Sequence, residues 1–290
     1  MQYDAIVIGT GQAGVPLAGE LADKGKKTAV IEKGPYGGTC VNYGCTPTKT
    51  YVASARAAWA ARRSHEMGVF HDGNVRVDLK KVKERKDEIV QSSREGIAGW
   101  FDELESIDTY RGHARFTGPK SVEVNGQTLE APQIFLNTGA RPRIPERFEG
   151  LDYLTNQSIL ELEELPEHLL IVGGSYVGLE FGQMFHRFGS KVTIIEKSER
   201  LIGREDPEIS DAIAEFLKEA GIELHLNAEC ISGKSEKGKI ILDLDREEGE
   251  RQVSGTHLLL ATGRIPNTDD LGLDKAGIET DERGNIKVND

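Results

Sequence analysis

Apolar residues in this chain cluster in short runs, and two of those runs are followed by the same sequence of events. Ala5–Ile8 leads into a glycine cluster, then a stretch with helical spacing, then a second apolar run at Thr28–Ile31 that closes on Glu32. Leu169–Val172 leads into another glycine cluster and helical stretch, then Val192–Ile195 and Glu196. Each reads as strand, tight turn, helix, strand, so the pattern predicts an α/β fold with parallel sheets. Leu79, Val82, Ile89, Ile97, Phe101 and Leu104 roughly share one stripe, which predicts a long helix capped by Asp78. Lys80–Lys86 is interleaved with that stripe and reads as the helix's solvated face. Short β-like runs are expected around Thr109–Phe116 and Ser121–Val124, and Asp206-Pro207-Glu208 is a helix start.

The glycine clusters say what the turns are for. The first is Gly9-Thr10-Gly11-Gln12-Ala13-Gly14. In such a turn one glycine allows the tight bend, one lets the backbone approach a pyrophosphate, and one lets helix and strand pack closely. The helix that follows turns its free N–H groups toward the phosphates. Pro16 is tolerated in its first turn, and Glu32 can accept hydrogen bonds from an adenosine ribose. The second cluster is Gly173-Gly174-Ser175-Tyr176-Val177-Gly178. The two copies align without a gap, since 173 − 9 = 196 − 32 = 164. Gly11 is replaced by Ser175, whose Cβ is expected to push a pyrophosphate slightly outward. Phe135-Leu136-Asn137-Thr138-Gly139-Ala140-Arg141-Pro142 has its own echo in Leu259-Leu260-Ala261-Thr262-Gly263-Arg264-Ile265-Pro266. The expected fold is two Rossmann-like dinucleotide-binding domains, the second inserted in the first. The first would span 1–149 and return at 266–290, and the second would span 150–265.

Charge and composition narrow the function. A net charge of −12 disfavours nucleic acid, which needs a basic patch. No apolar run reaches the ~18 residues of a membrane span, so no membrane role is expected. The N-terminal Met1-Gln2-Tyr3-Asp4 enters a strand directly and lacks a signal-peptide pattern. Three cysteines are too few for a secreted disulfide framework, so a cytoplasmic enzyme is expected.

Two of those cysteines sit in Gly37-Gly38-Thr39-Cys40-Val41-Asn42-Tyr43-Gly44-Cys45-Thr46-Pro47-Thr48-Lys49, just before a helix that Pro47 would start. A disulfide there closes a small loop, which suits reversible exchange better than stapling. A thiol near a helix N-terminus is expected to have a lowered pKa. Zinc binding is the first competitor, but it needs about four ligands and no second Cys/His pair has matching spacing, so no metal site is expected. A structural disulfide is the second. Cys230, alone in a β-like run, reads as a small buried hydrophobe.

With GHARF at Gly112–Phe116 and LATGRIPN at Leu260–Asn267, the two glycine units and the cysteine motif stand in the order seen in class I pyridine nucleotide–disulfide oxidoreductases, and the chain resembles that family over nearly its whole length. Thr46-Pro47-Thr48-Lys49 and Arg204-Glu205-Asp206-Pro207 look most like the mercuric-reductase-like branch; dihydrolipoamide dehydrogenase is the alternative. The resemblance implies FAD and a nicotinamide nucleotide as cofactors, with NADH favoured by Glu196 and NADPH the alternative. It implies that Cys45 is the charge-transfer thiolate against the flavin and Cys40 the interchange thiol. Lys49 would pair with Glu180 near the flavin, and Tyr176 would act as a gate for nicotinamide. Gly9, Gly11, Gly14, Glu32, Gly38, Thr39, Ala114, Thr138 and Gly139 would serve FAD. Gly173, Gly178 and Glu196 would serve the nicotinamide nucleotide, with Gly263 and Arg264 also at the cofactors. Electrons would pass through flavin to the Cys40–Cys45 disulfide and on to a thiophilic metal ion such as Hg(II), or to a small disulfide. Family members continue past a position like Asp290 with a flavin-binding Gly-Asp and an interface domain that makes a homodimer. This chain is therefore expected to be incomplete for turnover, and a nucleotide-binding fragment that does not turn over is a further alternative.

Overall fold

The computed structural model describes residues 1–246 and 249–289. The chain divides into two compact units. Unit 1 comprises Met1–Pro47, Asp87–Arg141 and the segment from Arg264 onward; unit 2 comprises Thr48–Lys86 and Pro142–Gly263.

Unit 1 opens with β1 (Ala5–Ile8), α1 (Gly14–Asp23) and β2 (Thr28–Glu32). Then come α2 (Gly38–Tyr43), α3 (Cys45–Arg62), which runs on into unit 2, and α4 (Leu79–Asp102), whose later part belongs to unit 1. Strands β3 (Ile107–Arg111), β4 (Arg115–Gly118), β5 (Ser121–Val124), β6 (Gln127–Glu130), β7 (Gln133–Leu136) and β8 (Ala140–Pro142) follow. A parallel sheet is ordered β3-β2-β1-β7, and β4-β5-β6 form an antiparallel meander. The central strands are rich in buried apolar residues because both faces are covered. Ile6, Ile8, Ala29 and Ile31 pack with Phe116, Val122 and Leu129 of the meander. Ala5, Val7 and Val30 pack with Ala18, Leu21 and Phe101 of the helices.

Unit 2 repeats the plan with β9 (His168–Val172), α5 (Tyr176–Phe188), β10 (Lys191–Ile195), α6 (Pro207–Glu219) and β11 (Glu223–His225). Strands β12 (Glu229–Glu236), β13 (Lys239–Asp245), β14 (Gln252–Gly255) and β15 (His257–Leu260) complete it. Its parallel sheet is ordered β11-β10-β9-β15 and its meander β12-β13-β14. Leu169, Ile171 and Ile194 pack on Phe181, Phe185 and Phe188 of α5, and Leu170, Leu258 and Leu260 on Ile240, Leu242 and Val253. The repeat extends to single hydrogen bonds. Gly9 N donates to Ile31 O at 2.8 Å and Gly173 N to Ile195 O at 2.9 Å. Asn137 N donates to Ile8 O at 2.7 Å and Ala261 N to Val172 O at 2.8 Å. The chain returns to unit 1 with β16 (Arg264–Pro266), which pairs with β8.

Some expectations are corrected. Residues 48–86 group with unit 2, because Tyr51, Ala55 and Leu79 share one buried cluster with Leu169, Ile171 and Phe185. The Lys80–Lys86 stretch is not uniformly solvated. Lys86 is 3% exposed and pairs with Glu161 at 2.8 Å, and Lys83 reaches the same carboxylate at 3.2 Å. Burial of the lysine is tolerable because its charge is paired. Asp78 does cap α4, its Oδ1 accepting from Lys81 N at 3.1 Å. Asp206 precedes Pro207 at the start of α6 but makes no side-chain capping bond.

Candidate active site and nucleotide crevices

In unit 1 the glycine turn is built of contacts that only glycine permits. A Cβ on Gly9 would stand 2.3 Å from Asn137 O, and one on Gly14 would stand 1.9 Å from Gly9 O. Gly11 is different: a Cβ there meets nothing within 4 Å. That open face of backbone is a cradle that a side chain would fill, which fits approach by a pyrophosphate. Glu32 braces the turn: its Oε2 accepts from Thr10 N at 2.8 Å and Thr10 Oγ1 at 2.7 Å, and its Oε1 accepts from Gly34 N at 2.8 Å. The carboxylate thus fixes its own loop first, and its remaining lone pairs are what a ribose can use.

The cysteine motif lies on this turn. Gly38, at φ +59°, rests so closely on Gly11 that a Cβ would stand 2.6 Å from the Gly11 α-carbon. Cys40 lies in α2, a short helix the sequence reading did not anticipate, and Cys45 is the first residue of α3. Gly44 between them lets the chain double back, its Cβ position being 3.0 Å from Thr39 O. Both cysteines stand as free thiols. Burial, and then the Cys45 sulfur, push the Cys40 thiol above its ordinary value, while the N–H groups of Cys45 and Thr46 pull it down. The expected lowering therefore does not hold for Cys40, because desolvation and a second sulfur outweigh the helix terminus.

Other expected residues of unit 1 are joined to this region. Arg264 donates to Ala140 O and, at 3.3 Å, to Thr39 Oγ1. Asn267, which the sequence reading did not single out, ties down Thr138 and Gly139: its Nδ2 donates to Thr138 O at 2.8 Å and its N to Gly139 O at 3.0 Å. Arg141 holds the same return segment through both oxygens of Asp269, at 3.1 and 2.8 Å. Inside the motif, Asn42 donates to Tyr36 O at 2.9 Å and Gly38 O at 2.7 Å, and Arg94 of α4 donates to Asn42 Oδ1. Ala114 is 2% exposed in the core with Ile31 and Phe116.

Unit 2 contains the second crevice, about 310 Å³, lined by Gly173, Ser175, Glu196, Lys197, Thr262 and Gly263 among others. Its turn is as tight as the first, with Cβ positions 2.3 Å from Ala261 O at Gly173 and 2.0 Å from Gly173 O at Gly178. Glu196 braces it as Glu32 does the other, accepting from Gly174 N at 2.7 Å and Ser198 N at 2.9 Å. Within the same unit Lys49, one turn along α3 from Cys45, donates to Glu180 of α5. Tyr176 is 58% exposed, and its hydroxyl donates to Glu205, a partner the sequence did not reveal. Cys230 is buried, and burial pushes its thiol up to about 12. Elsewhere in the unit, Glu223, His225 and Glu250 bring ligand-type atoms within 4.8 Å of one another. Two cations already serve that cluster: Arg246 donates to His225 Nδ1 at 2.6 Å, and Lys191 lies 3.4 Å from Glu223. Among the described residues no helix is long and apolar enough to cross a membrane.

The strand–glycine–helix units and the dithiol loop define a flavin-dependent disulfide oxidoreductase fold. The family model described as pyridine nucleotide-disulphide oxidoreductase matches residues 3–290, and the chain belongs to that family. Its members are oxidoreductases that use FAD, a pyridine nucleotide and a redox-active disulfide. The chain is 37% identical over 294 residues to a mercuric reductase of Lysinibacillus sphaericus, covering 99% of this chain and 53% of that protein. It is 34% identical over 295 residues to a dihydrolipoyl dehydrogenase of Acholeplasma laidlawii, of which it covers 85%. The Cu(II) complex of the HOCl-induced flavoprotein disulfide reductase RclA from Escherichia coli superposes with a TM-score of 0.87 at 34% identity, over 99% of this chain and 62% of that one. The chain thus spans about half the length of the mercuric reductases it matches.

Proposed function

We propose that this chain carries the electron-input portion of an NADH-dependent reductase whose Cys40–Cys45 pair acts on a thiophilic metal ion such as Hg(II). The observation that carries the reading is the pair of free thiols, Cys40 and Cys45, in the loop that Gly38 seats on the first glycine turn. FAD, when bound, supplies the two-electron chemistry between a hydride donor and a disulfide. The balance is NADH, one proton and the disulfide giving NAD⁺ and two thiols. The backbone at Gly11 and the α1 N-terminus would hold one dinucleotide, and Gly173–Gly178 the other. Lys49, with its charge fixed by Glu180, would stand at the flavin, and Tyr176 would gate nicotinamide entry. Cys40, whose thiol is raised above its ordinary value by burial and by Cys45, is suited to hand its proton on as it engages a substrate.

A pair of adjacent thiols suits soft cations. The names of the mercuric reductases and the Cu(II) complex of RclA support a metal-ion substrate. The high coverage of a dihydrolipoyl dehydrogenase favours a second reading, in which the substrate is a small disulfide. The test is anaerobic: flavin-loaded chain, its Cys40–Cys45 pair first oxidised to the disulfide and the oxidant removed, is mixed with NADH and thiols are titrated. Two new thiols per NADH consumed, lost in Cys40→Ser, is the expected result. A chain that binds flavin yet yields no thiols is a nucleotide-binding fragment, and the proposal fails. Competition of Hg(II) and lipoamide for the reduced chain separates the two substrates.

A further inference from the structure

The crevice of unit 2 contains a second acid–base pair beside Glu196. Arg147 and Glu229 both line it, with Arg143 and Lys197. Arg147 Nη1 donates to Glu229 Oε1 at 2.7 Å and to Cys230 O at 2.8 Å. The guanidinium is therefore turned to the start of β12, and it holds the Glu229 carboxyl well below the usual carboxylate range. Cys230 adds no charge near neutral pH, because burial keeps its thiol protonated. Three cations and two carboxylates thus line one cavity, and one cation is engaged by one carboxylate.

We infer that Glu229 is a specificity-determining residue for the nicotinamide dinucleotide: by engaging Arg147 it withholds from the crevice one of the two guanidiniums, beside Arg143, that a 2′-phosphate could use. A ribose phosphate is recognised by a guanidinium fork that can meet two of its oxygens. Lys197 offers only a point charge, and it follows directly on Glu196, which repels the same phosphate. An unphosphorylated ribose needs no such cation, so the pair costs NADH nothing. Glu196 and Glu229 act differently: the first meets the ribose directly, and the second acts by occupying Arg147.

This inference rests on the reading of the crevice as a nicotinamide-nucleotide site. The test is calorimetric titration of NADH and NADPH into the whole chain. In Glu229→Gln the NADPH-to-NADH affinity ratio should rise about 2- to 5-fold, the scale of one exposed ion pair. The gain should shrink as salt is raised, because these groups are solvent-accessible. Adding Arg147→Ala to Glu229→Gln should return the ratio to the wild-type value, whereas Arg147→Ala alone, which leaves the Glu229 carboxylate unpaired in the crevice, should not raise it. Unfolding midpoints identify any variant that has lost its fold, and Glu229→Ala then repeats the test without a side-chain acceptor. A wild-type chain that binds NADH, with a ratio that neither Glu229 substitution moves, overturns this inference alone. A folded wild-type chain that binds neither nucleotide overturns the reading of the crevice and this inference with it.

Discussion

Gly38 lies against Gly11, close enough that a methyl group on Gly38 would stand 2.6 Å from the Gly11 α-carbon. Through this contact the loop that presents Cys40 is seated on the turn that would cradle a pyrophosphate. The two glycines should therefore respond differently to the same substitution. Gly38→Ala must relieve both a clash and a φ of +59°, and should destabilise the chain by about 1–3 kcal/mol. Gly11→Ala meets no protein atom within 4 Å and should leave the unfolding midpoint of ligand-free chain within about 0.5 kcal/mol of wild type. It should nevertheless weaken FAD binding at least tenfold. Denaturant unfolding and flavin titration on both variants check this; equal flavin affinity in Gly11→Ala and wild type would remove the cofactor role of that face.

The thiols differ in environment, and their chemistry should differ too. Because the Cys40 thiol is raised by burial and by its neighbour, its alkylation by iodoacetamide should be slow near neutral pH. The rate should keep rising with pH beyond the ordinary thiol range. Mass spectrometry of the labelled peptides in Cys45→Ser and Cys40→Ser gives each profile separately. Removing Cys45 removes one of the two raising influences, so the Cys40 profile should move to lower pH in Cys45→Ser. No movement would mean that the sulfurs are uncoupled. In flavin-loaded chain, Cys40→Ser should show a long-wavelength thiolate absorption without reductant, and Cys45→Ser should lack it.

Lys49 and Glu180 are side chains with 66% and 35% exposure, so their ion pair should contribute no more than about 1 kcal/mol to stability. A role at the flavin predicts a larger effect on chemistry than on folding. Glu180→Gln should lower the rate of disulfide opening by NADH at least tenfold with little shift in unfolding midpoint. Rapid-mixing kinetics and thermal unfolding on one preparation decide it. A loss of stability that accounts for the whole loss of rate would make the pair structural.

Cys230 gives a pH dependence with a definite sign. Its folded pKa is raised to about 12 from 9.0. The stability linked to that shift is complete below pH 9 and is lost as pH climbs toward 12, at most about 1.4 kcal/mol for each unit. Cys230→Ala leaves a small cavity and should be less stable at pH 7. Its stability should nonetheless fall less steeply than wild type between pH 9 and pH 12. Parallel slopes in urea unfolding would show that the thiol does not titrate with folding.

NADH preference has its own test at Glu196. Its carboxylate is fixed by the N–H groups of Gly174 and Ser198, so it cannot swing away from an incoming 2′-phosphate. Glu196→Ala should raise NADPH affinity relative to NADH by roughly tenfold or more, given the repulsion between close charges. The same substitution removes two braces of the turn and should lower affinity for both nucleotides. A wild-type chain binding both equally, with no change in the variant ratio, would rule out this use of the carboxylate.

The 164-residue repeat, the two glycine turns, the acidic residue closing each second strand and the paired cysteines were all legible in the sequence. They are local: a turn that needs glycine, or a strand buried on both faces, leaves its mark within a few adjacent residues. Family membership was legible for the same reason, since the motifs fall in a fixed order. What sits opposite those motifs was decided only by the tertiary structure. Arg94 reaches Asn42 from α4, Asn267 reaches Thr138 from the returning segment, Glu205 takes the hydroxyl of Tyr176, and Arg147 takes Glu229. Side-chain pairing across long separations depends on which strands and loops the fold brings side by side, and no periodicity encodes that. Lys86 shows the limit most plainly. Helical spacing alone reads it as one of several exposed lysines, and the fold buries it with its ammonium paired to Glu161, 75 residues later.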